Sequence, residues 1–553
     1  MDTKDEKMFS EKEVASPSSL EGDKSRNEGP LVDPEEASAQ QPSGAKLGFI
    51  VTSVAMAVFL TGIDQTIVGT AIPKITDEFH GLAQVSWYGA AYFLTLGSFR
   101  PFWGKACKYF PLKPTFIFTI FLFELGSLIC GVAPNSIALI IGRALSGVGG
   151  AGIATGGTTI IAFSAPPKKR PIFMGLLGAS YALAAVAGPL IGGVFSDKVT
   201  WRWCFYINLP IGGVVAVLTL IFFRLDTAPK TIKASWKETI LQMDAFGIAL
   251  TMLGMACFIL ALQYGGTTYA WKSSQVIGLL IGFGLIIITL GIWEIYQDEY
   301  AMLPRRLMKQ RTLWAPCVFQ FLFAGSYFLI LYYLPIYFQS ILGFSPIKSS
   351  VDNLPLIVAF GIFMLTGGLA VSATGHATPS MAVGAALTCV SAGLFYSMDN
   401  NISPANWIGY QILAGTAIAF PYMNCLNLAQ ANADDKDIAS VSSIVQFFQT
   451  LGGSFSITAA QSAFVNRLIG ALTTAAPEVD PGLVIGTGAA ELRAVFSVSE
   501  LPGIISAYQD GIRATFAVSI GMAGLAVFIS LLCPWSRLPT HDKKNKNAEH
   551  GTA

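Results

Sequence analysis

Long apolar runs, repeated along almost the whole chain, are the feature that most limits what this sequence can fold into. Fourteen runs are bounded by polar or charged residues, at 48–72, 85–104, 114–132, 136–163, 171–194, 206–223, 245–264, 276–297, 313–341, 351–373, 379–398, 406–427, 440–466 and 512–534. A membrane-spanning helix needs about 20 apolar residues to cross the hydrocarbon core of a bilayer. Because 53% of the residues are hydrophobic and only 12% are charged, the composition is also far from that of a soluble protein. The sequence predicts an all-α integral membrane protein with fourteen transmembrane helices.

The positions of Lys and Arg predict the orientation of these helices. Fourteen basic residues lie in the first four loops on one side, whereas the loops between them hold only Lys74, Lys198, Arg202 and Lys272. Cytosolic loops carry the excess of Lys and Arg in membrane proteins. Both termini are therefore predicted to be cytosolic.

The runs also predict the organisation of the chain. We expect a disordered cytosolic tail at 1–47, a six-helix bundle at 48–223, a linker with two extra helices at 224–312, a second six-helix bundle at 313–534 and a cytosolic tail at 535–553. The long external loop at 467–511 is semi-apolar, which favours short amphipathic helices at the outer surface. A second external loop carries the glycosylation sequon that begins at Asn401.

Other residue patterns exclude several function classes. The eight cysteines lie singly without a CxxC spacing, and the four histidines are scattered without an HExxH motif. We therefore expect no metal site and no disulfide framework. A net charge of +1 gives no basic field for nucleic acid. The chain also lacks a nucleophile–base arrangement, which argues against an integral membrane enzyme.

The stretch GRALSGVGGAG contains the spacing G-x-G-x-x-G, which resembles a dinucleotide-binding loop. Such a loop follows a strand and precedes an acidic residue that holds the ribose, and neither is present here. The stretch lies within one apolar run, in which Gly142, Gly149, Gly152 and Gly156 keep one face small. Small faces let membrane helices approach closely, so we interpret these glycines as a helix-packing surface.

Arg143 lies in the same run and needs a partner, because a guanidinium inside a membrane helix costs about 2.5 to 3.5 kcal/mol on insertion scales. Asp64 and Glu124 are predicted at a similar depth, about 10 to 12 Å below the outer surface at about 1.5 Å per residue. Three such residues would form a buried ionisable cluster that can exchange a proton when the conformation changes. A static structural ion pair remains the alternative.

Several motifs resemble the fourteen-span drug:proton antiporters of the major facilitator superfamily, with fungal multidrug and secondary-metabolite pumps the most similar. The resemblance covers residues 45–535 and includes TGIDQTIVGTAIPKI, IIGRALSGVGGAG, GASYALAAVAGPLIGG and WRWCFYINLPIGG. It implies a fold of two six-helix bundles with two inserted helices, and a proton-coupling position for Asp64 and Arg143. It further implies that Gly188, Pro189, Gly192 and Gly193 form the antiporter motif.

One loop departs from the family pattern. The loop between the second and third spans usually reads Gly-x-x-x-Asp-Arg-x-Gly-Arg-Lys, but here it is GKACKYFPLKP, with Lys108 in place of the aspartate. The family's usual acid–base contact at this loop is therefore not expected.

Polar and aromatic side chains in the second half predict a substrate path between the bundles. The candidates are Gln446, Gln449, Tyr327, Tyr332, Gln320 and Gln411. Neutral amides beside aromatic rings suit an apolar organic molecule with hydrogen-bond acceptors.

The sequence as a whole predicts a proton-coupled exporter of lipophilic organic compounds. We expect it to act as a monomer in the plasma membrane, without a cofactor and with a proton gradient as its energy source. A vacuolar location, a proton-coupled importer of iron–siderophore complexes with the same plan, and a non-transporting membrane sensor are the alternatives.

Overall fold

The computed structural model describes residues 44–79, 85–223, 234–489, 491–535 and 537–538. The described residues form α-helices, two 3-10 turns and no β-strand beyond an isolated bridge between Gly265 and Tyr269. The predicted tails fall largely at 1–43 and 539–553, which lie outside the described residues, as does the linker stretch 224–233.

The helices follow one another through short connections. They are α1 Ala45–Phe79, α2 Val85–Ser98, α3 Arg100–Tyr109, α4 Leu112–Gly131, α5 Ser136–Ser164, α6 Arg170–Lys198, α7 Trp203–Tyr206, α8 Asn208–Phe222, α9 Trp236–Gln242, α10 Ala245–Tyr264, α11 Ser274–Gln297, α12 Arg305–Met308, α13 Arg311–Ser340, α14 Pro346–Asp352, α15 Leu354–Thr374, α16 Thr378–Tyr396, α17 Pro404–Ala431, α18 Ile438–Ala475, α19 Pro481–Gly486, α20 Leu492–Val495 and α21 Leu501–Leu532.

Twelve helical stretches of the described chain are long and apolar enough to cross a membrane. The predicted count of fourteen is therefore not confirmed by this criterion. The predicted span 85–104 is divided at Phe99 into α2 and α3, since Pro101 cannot donate a helical hydrogen bond. The long helix α18 carries many Ser, Thr and Gln side chains, which lower its mean hydropathy.

Packing separates the helices into two groups. Helices α1, α2, α4, α5, α7 and α8 pack mainly on one another, and α13, α15, α16, α17, α18 and α21 form the second bundle. Helices α3 and α6 of the first group also pack extensively on the second bundle, α3 on α18 and α6 on α15. Helix α10 packs beside α2 and α18, whereas α11 packs mainly on α10 and leaves most of its surface exposed. The two inserted helices therefore lie at the edge of the seam between the bundles.

Two predicted boundaries differ from the structure. Helix α1 continues to Phe79, well past the predicted end at 72. Helix α18 extends to Ala475 and α21 begins at Leu501, so the connection between them is shorter than the predicted external loop 467–511. Two short helices, α19 and α20, do occur in it, and Arg493 donates hydrogen bonds to the Ser340 and Ile341 carbonyls at the end of α13.

The bundles meet most closely at the face that carries Ala45 and Leu532, which we call the terminal face. On one side of the seam, a Cβ at Gly104 of α3 would overlap Ser443 of α18. On the other side, Gly175 of α6 lies against the Met364 carbonyl of α15, and Gly368 lies against the Pro171 carbonyl. Backbone approaches of this closeness require glycine, so the terminal face is closed.

Candidate functional site

A buried ion pair joins α1 to α5. The Nη1 of Arg143 donates to Oδ2 of Asp64 at 2.6 Å, and the two side chains are 1% and 0% exposed. The Nε of Arg143 donates to the Tyr88 carbonyl at 3.0 Å, and the guanidinium lies 4.4 Å from the centre of the Tyr92 ring. Burial strengthens such a pair electrostatically and makes the loss of either partner costly.

Asn208 is a third member of this site that the sequence analysis missed. Its Nδ2 donates to the second carboxylate oxygen of Asp64 at 3.1 Å and to the Ser127 hydroxyl at 3.0 Å. Asn208 is fully buried at the start of α8. An amide within an apolar segment was the available signal, because buried polar side chains in membrane helices need partners.

Glu124 lies close to this site but outside its hydrogen-bond network. It is one helical turn from Ser127 on α4, and its carboxylate faces Gly212 of α8. Both carboxylate oxygens are buried and have no hydrogen-bond partner among the described residues. The predicted cluster of Asp64, Glu124 and Arg143 is therefore an Asp–Arg–Asn network with a separate acid beside it.

Glycines on α5 allow the helices to bring this pair together. Asn135 begins the helix by accepting a hydrogen bond from the Ala138 backbone N–H at 2.9 Å. Further along, a Cβ at Gly142, Gly149, Gly152 or Gly156 would overlap residues of α4. The small face is thus a surface for close packing between α5 and α4.

The four residues of the antiporter motif lie on α6 but do not all face the same neighbour. A Cβ at Gly188 or Gly192 would overlap Thr66 or Thr70 of α1, whereas one at Gly193 would meet nothing within 4 Å. Pro189 lies inside α6, which continues through it to Lys198. Gly188 and Gly192 therefore hold α6 against the helix that carries Asp64.

The predicted glutamines of α18 lie at the seam between the bundles. Gln446 accepts a hydrogen bond at 2.8 Å from Nη1 of Arg100 and donates one at 2.8 Å to Thr158. Gln449 donates to the Tyr327 hydroxyl at 3.2 Å. Gln446, Gln449 and Tyr327 were predicted, whereas Arg100 and Thr158 were missed. A lone arginine in an apolar span is the same signal that identified Arg143.

The remaining candidates for the substrate path have different surroundings. Tyr332 is 52% exposed, one turn beyond Phe328, which packs on Gly453. Gln320 is buried, and its Oε1 has no partner among the described residues. Gln411 is fully buried and its amide contacts the Asp352 carbonyl and the Leu356 N–H, so in this conformation it holds a turn and is not open to a substrate.

Asn401, the predicted glycosylation site, is exposed in the loop between α16 and α17. No group of three or more His, Cys, Asp or Glu residues with metal-site geometry occurs in the described part of the chain.

An ionic latch, formed by Lys108, Arg306 and Asp437, crosses the terminal face. The Asp437 carboxylate is 1% exposed and accepts hydrogen bonds from Lys108 at 3.0 Å and from Arg306 at 2.8 Å. Burial by itself would raise the pKa of Asp437, but the hydrogen bonds from the two cations outweigh it and hold the pKa below its usual range. Lys108, which stands where the family motif has an aspartate, thus makes an acid–base contact with Asp437 that the sequence analysis did not expect.

Comparisons with known proteins agree with this architecture. The family model of the Major Facilitator Superfamily matches residues 54–457. The chain is 55% identical over 519 residues to the MFS-type transporter grgE of Penicillium sp, covering 94% of this chain and 91% of that protein. It is 36% identical to the dehydrocurvularin exporter of Aspergillus terreus, with 94% and 91% of the two chains covered.

Among solved structures, the proton:xylose symporter XylE has the same fold. Its TM-score is 0.59 at 11% sequence identity, with 89% of this chain and 98% of that chain covered. The matched family and the named relatives are transporters and not enzymes. The chain belongs to the Major Facilitator Superfamily, and within it to the fungal efflux pumps.

Proposed function

We propose that this efflux transporter exports lipophilic organic molecules in exchange for protons by alternating access. The observation that carries the proposal is the ion pair between Asp64 and Arg143, in which both side chains are almost completely buried. A carboxylate in this position is a functional candidate, since buried ionisable residues in membrane helices are costly to keep.

The proton cycle follows from the contacts of Asp64. A proton that reaches this carboxylate removes its charge and weakens the bond from Arg143, which is charge-assisted only while Asp64 is ionised. Asn208 can contact either form, because its amide can both donate and accept. Protonation therefore loosens α1 from α5 while leaving α8 in place.

A path from Asp64 to the seam runs through α6. Gly188 and Gly192 hold α6 against α1. At its other end Gly175 packs on α15 of the second bundle. A shift of α1 on protonation would therefore reach a contact that closes the terminal face. Closely packed elements of this kind move between discrete arrangements.

We further propose an orientation and an energy source for the transporter. The terminal face is cytosolic, the helices span the plasma membrane fourteen times, and the transporter acts as a monomer without a cofactor. One inward proton provides about 1.4 kcal/mol per pH unit and about 2.3 kcal/mol per 100 mV. One proton per cycle can thus support a substrate gradient of roughly one to three decades.

Transport in proteoliposomes with an imposed pH gradient tests this proposal. The substitution Asp64→Asn keeps the shape of the side chain but cannot change charge, so gradient-driven accumulation of a lipophilic dye should fall to the level of empty vesicles. Glu78→Gln is the matched control, because Glu78 is 46% exposed and pairs with Arg202. Unchanged gradient-driven transport by Asp64→Asn would refute the assignment of the proton site.

A further inference from the structure

A second buried arginine, Arg100, is not used by the proton site. It is the first residue of α3 and is only 9% exposed. Nη1 donates to Gln446 of the opposite bundle at 2.8 Å. Its Nε is buried and has no hydrogen-bond partner, and none of the ion pairs among the described residues includes it.

This arrangement leaves most of the charge of Arg100 unsatisfied. Guanidinium carries five N–H donors in a rigid fork that matches a carboxylate. Gln446 takes one of them and is itself held by Thr158 of the first bundle. The guanidinium is therefore fixed in place at the seam while its Nε donor is left without a partner among the described residues and can receive an anion.

Aromatic side chains from both bundles surround the same point. Tyr327 accepts a hydrogen bond from Gln449, which lies one helical turn from the Gln446 that contacts Arg100, and Tyr92, Tyr181 and Tyr422 also interact electrostatically with Arg100. The rings of Tyr327 and Tyr422 are 5.5 Å apart, and those of Tyr181 and Tyr422 are 6.5 Å apart in a near-parallel arrangement. Tyr181 and Gln449 are only half-buried, so the group retains accessible surface.

We propose that Arg100 is a substrate-binding residue that selects aromatic organic acids, receiving their carboxylate or ionised phenol while the tyrosines contact the ring. This inference rests on the proposed export function and specifies its substrate class. A neutral lipophilic molecule would contact the tyrosine rings but would leave the guanidinium of Arg100 unpaired. An unpaired buried donor lowers the affinity for such a molecule.

The two halves of the site come from different bundles. Arg100, Tyr181 and Thr158 belong to the first bundle, whereas Gln446 and Tyr422 belong to the second. A site divided in this way is taken apart when the bundles rock, which is how transporters of this plan release substrate.

Binding and transport of a matched pair of probes test the inference. The probes are 2-naphthoate and its methyl ester, which share the ring system and differ in charge. Affinity is measured on the purified full-length protein in detergent by ligand-induced thermal shift, which needs no proton gradient, and export is then measured in proteoliposomes. The protein should bind the acid about 10- to 100-fold more tightly than the ester, the range expected for a charge-assisted hydrogen bond.

Three variants separate recognition from structure. Arg100→Gln should remove the preference for the acid and leave the affinity for the ester within about twofold, whereas Arg100→Lys should keep part of the preference. Arg305→Gln is the control, because it removes one exposed positive charge. If Arg100→Gln does not fold, Arg100→Lys decides, and loss of its acid preference overturns the inference.

The outcomes distinguish this inference from the proposed function. Equal affinity of the unmodified protein for acid and ester overturns the inference, as does an equal loss of both in Arg100→Gln. Preferential binding of the acid together with export that ignores the pH gradient supports the role of Arg100 and refutes the proton coupling.

Discussion

Replacing Asp437 by Asn should open the terminal face. Asp437 holds two cations from different parts of the chain, Lys108 of α3 and Arg306 of α12. The substitution preserves the side-chain shape and the packing of Ser443 on Gly104, so the change acts mainly through the charge.

The magnitude follows from the burial of each partner. A hydrogen bond to a charged group contributes about 1.5 to 3 kcal/mol. Lys108 is 17% exposed, so the contribution of its hydrogen bond lies within that range. Arg306 is 38% exposed, so its contribution is closer to the roughly 1 kcal/mol of a surface pair. Since an asparagine oxygen still accepts a neutral hydrogen bond, the net loss is about 2 to 3 kcal/mol, which is a shift of about 30- to 150-fold in the open population.

Cysteine labelling at the closed contact measures this population. Ser443 is 1% exposed, so Ser443→Cys should react with a polar maleimide only when the bundles separate, and peptide mass spectrometry isolates its rate from those of the native cysteines. Asp437→Asn should raise the rate by the stated factor. Glu299→Gln is the control, because Glu299 also pairs with Arg306 but is 46% exposed, so the loss of its charge should change the rate less than about threefold. A labelling rate that Asp437→Asn leaves unchanged would refute the latch.

Four other outcomes are expected. Because the pKa of Asp437 is lowered, the latch is complete above the usual carboxyl value and fails as the pH falls through the lowered one. The labelling rate of Ser443→Cys is divided at each pH by that of a free cysteine peptide, because only the thiolate reacts. This ratio should stay constant from about pH 8 to 5 and rise only below about pH 4. Asp64→Ala should lower the thermal stability of the purified protein by about 3 to 5 kcal/mol, since it leaves Arg143 buried and unpaired, and a calorimetric midpoint equal to that of the unmodified protein would contradict this. Gly152→Val should destabilise α5 against α4 by about 1 to 3 kcal/mol, whereas Gly193→Val, which meets open space, should be close to neutral in the same unfolding assay. Asn401→Gln should abolish any shift in electrophoretic mobility on treatment with a glycosidase, and a persistent shift would place the glycan elsewhere.

Much of the architecture could be predicted from the sequence because bilayer thickness imposes a length on every crossing. Apolar runs located most helices, and the glycine spacing identified the small face of α5. Boundaries were less accurate where helices continue beyond the apolar segment, as at the ends of α1 and α18. The break at Phe99 was also missed, although Pro101 was the visible cause.

The candidate site was only partly predictable, for a different physical reason. A charged residue within an apolar run is recognisable in the sequence, so Asp64, Glu124 and Arg143 could be singled out. Which of them pair depends on the rotation of each helix about its axis, and a shift of one residue turns a side chain by about 100°. Only the packed structure therefore places Asn208 on Asp64 and leaves Glu124 beside Gly212.

The sequence by itself determined that the chain is a helical membrane protein, that two ionisable groups in the first bundle need each other, and that the usual aspartate between the second and third spans is absent. The tertiary structure decided which residues close the seam. Lys108 and Asp437 are more than three hundred positions apart, as are Arg100 and Gln446. Contacts of that separation arise only when two bundles dock, and no local pattern of hydrophobicity or charge encodes the register of that docking.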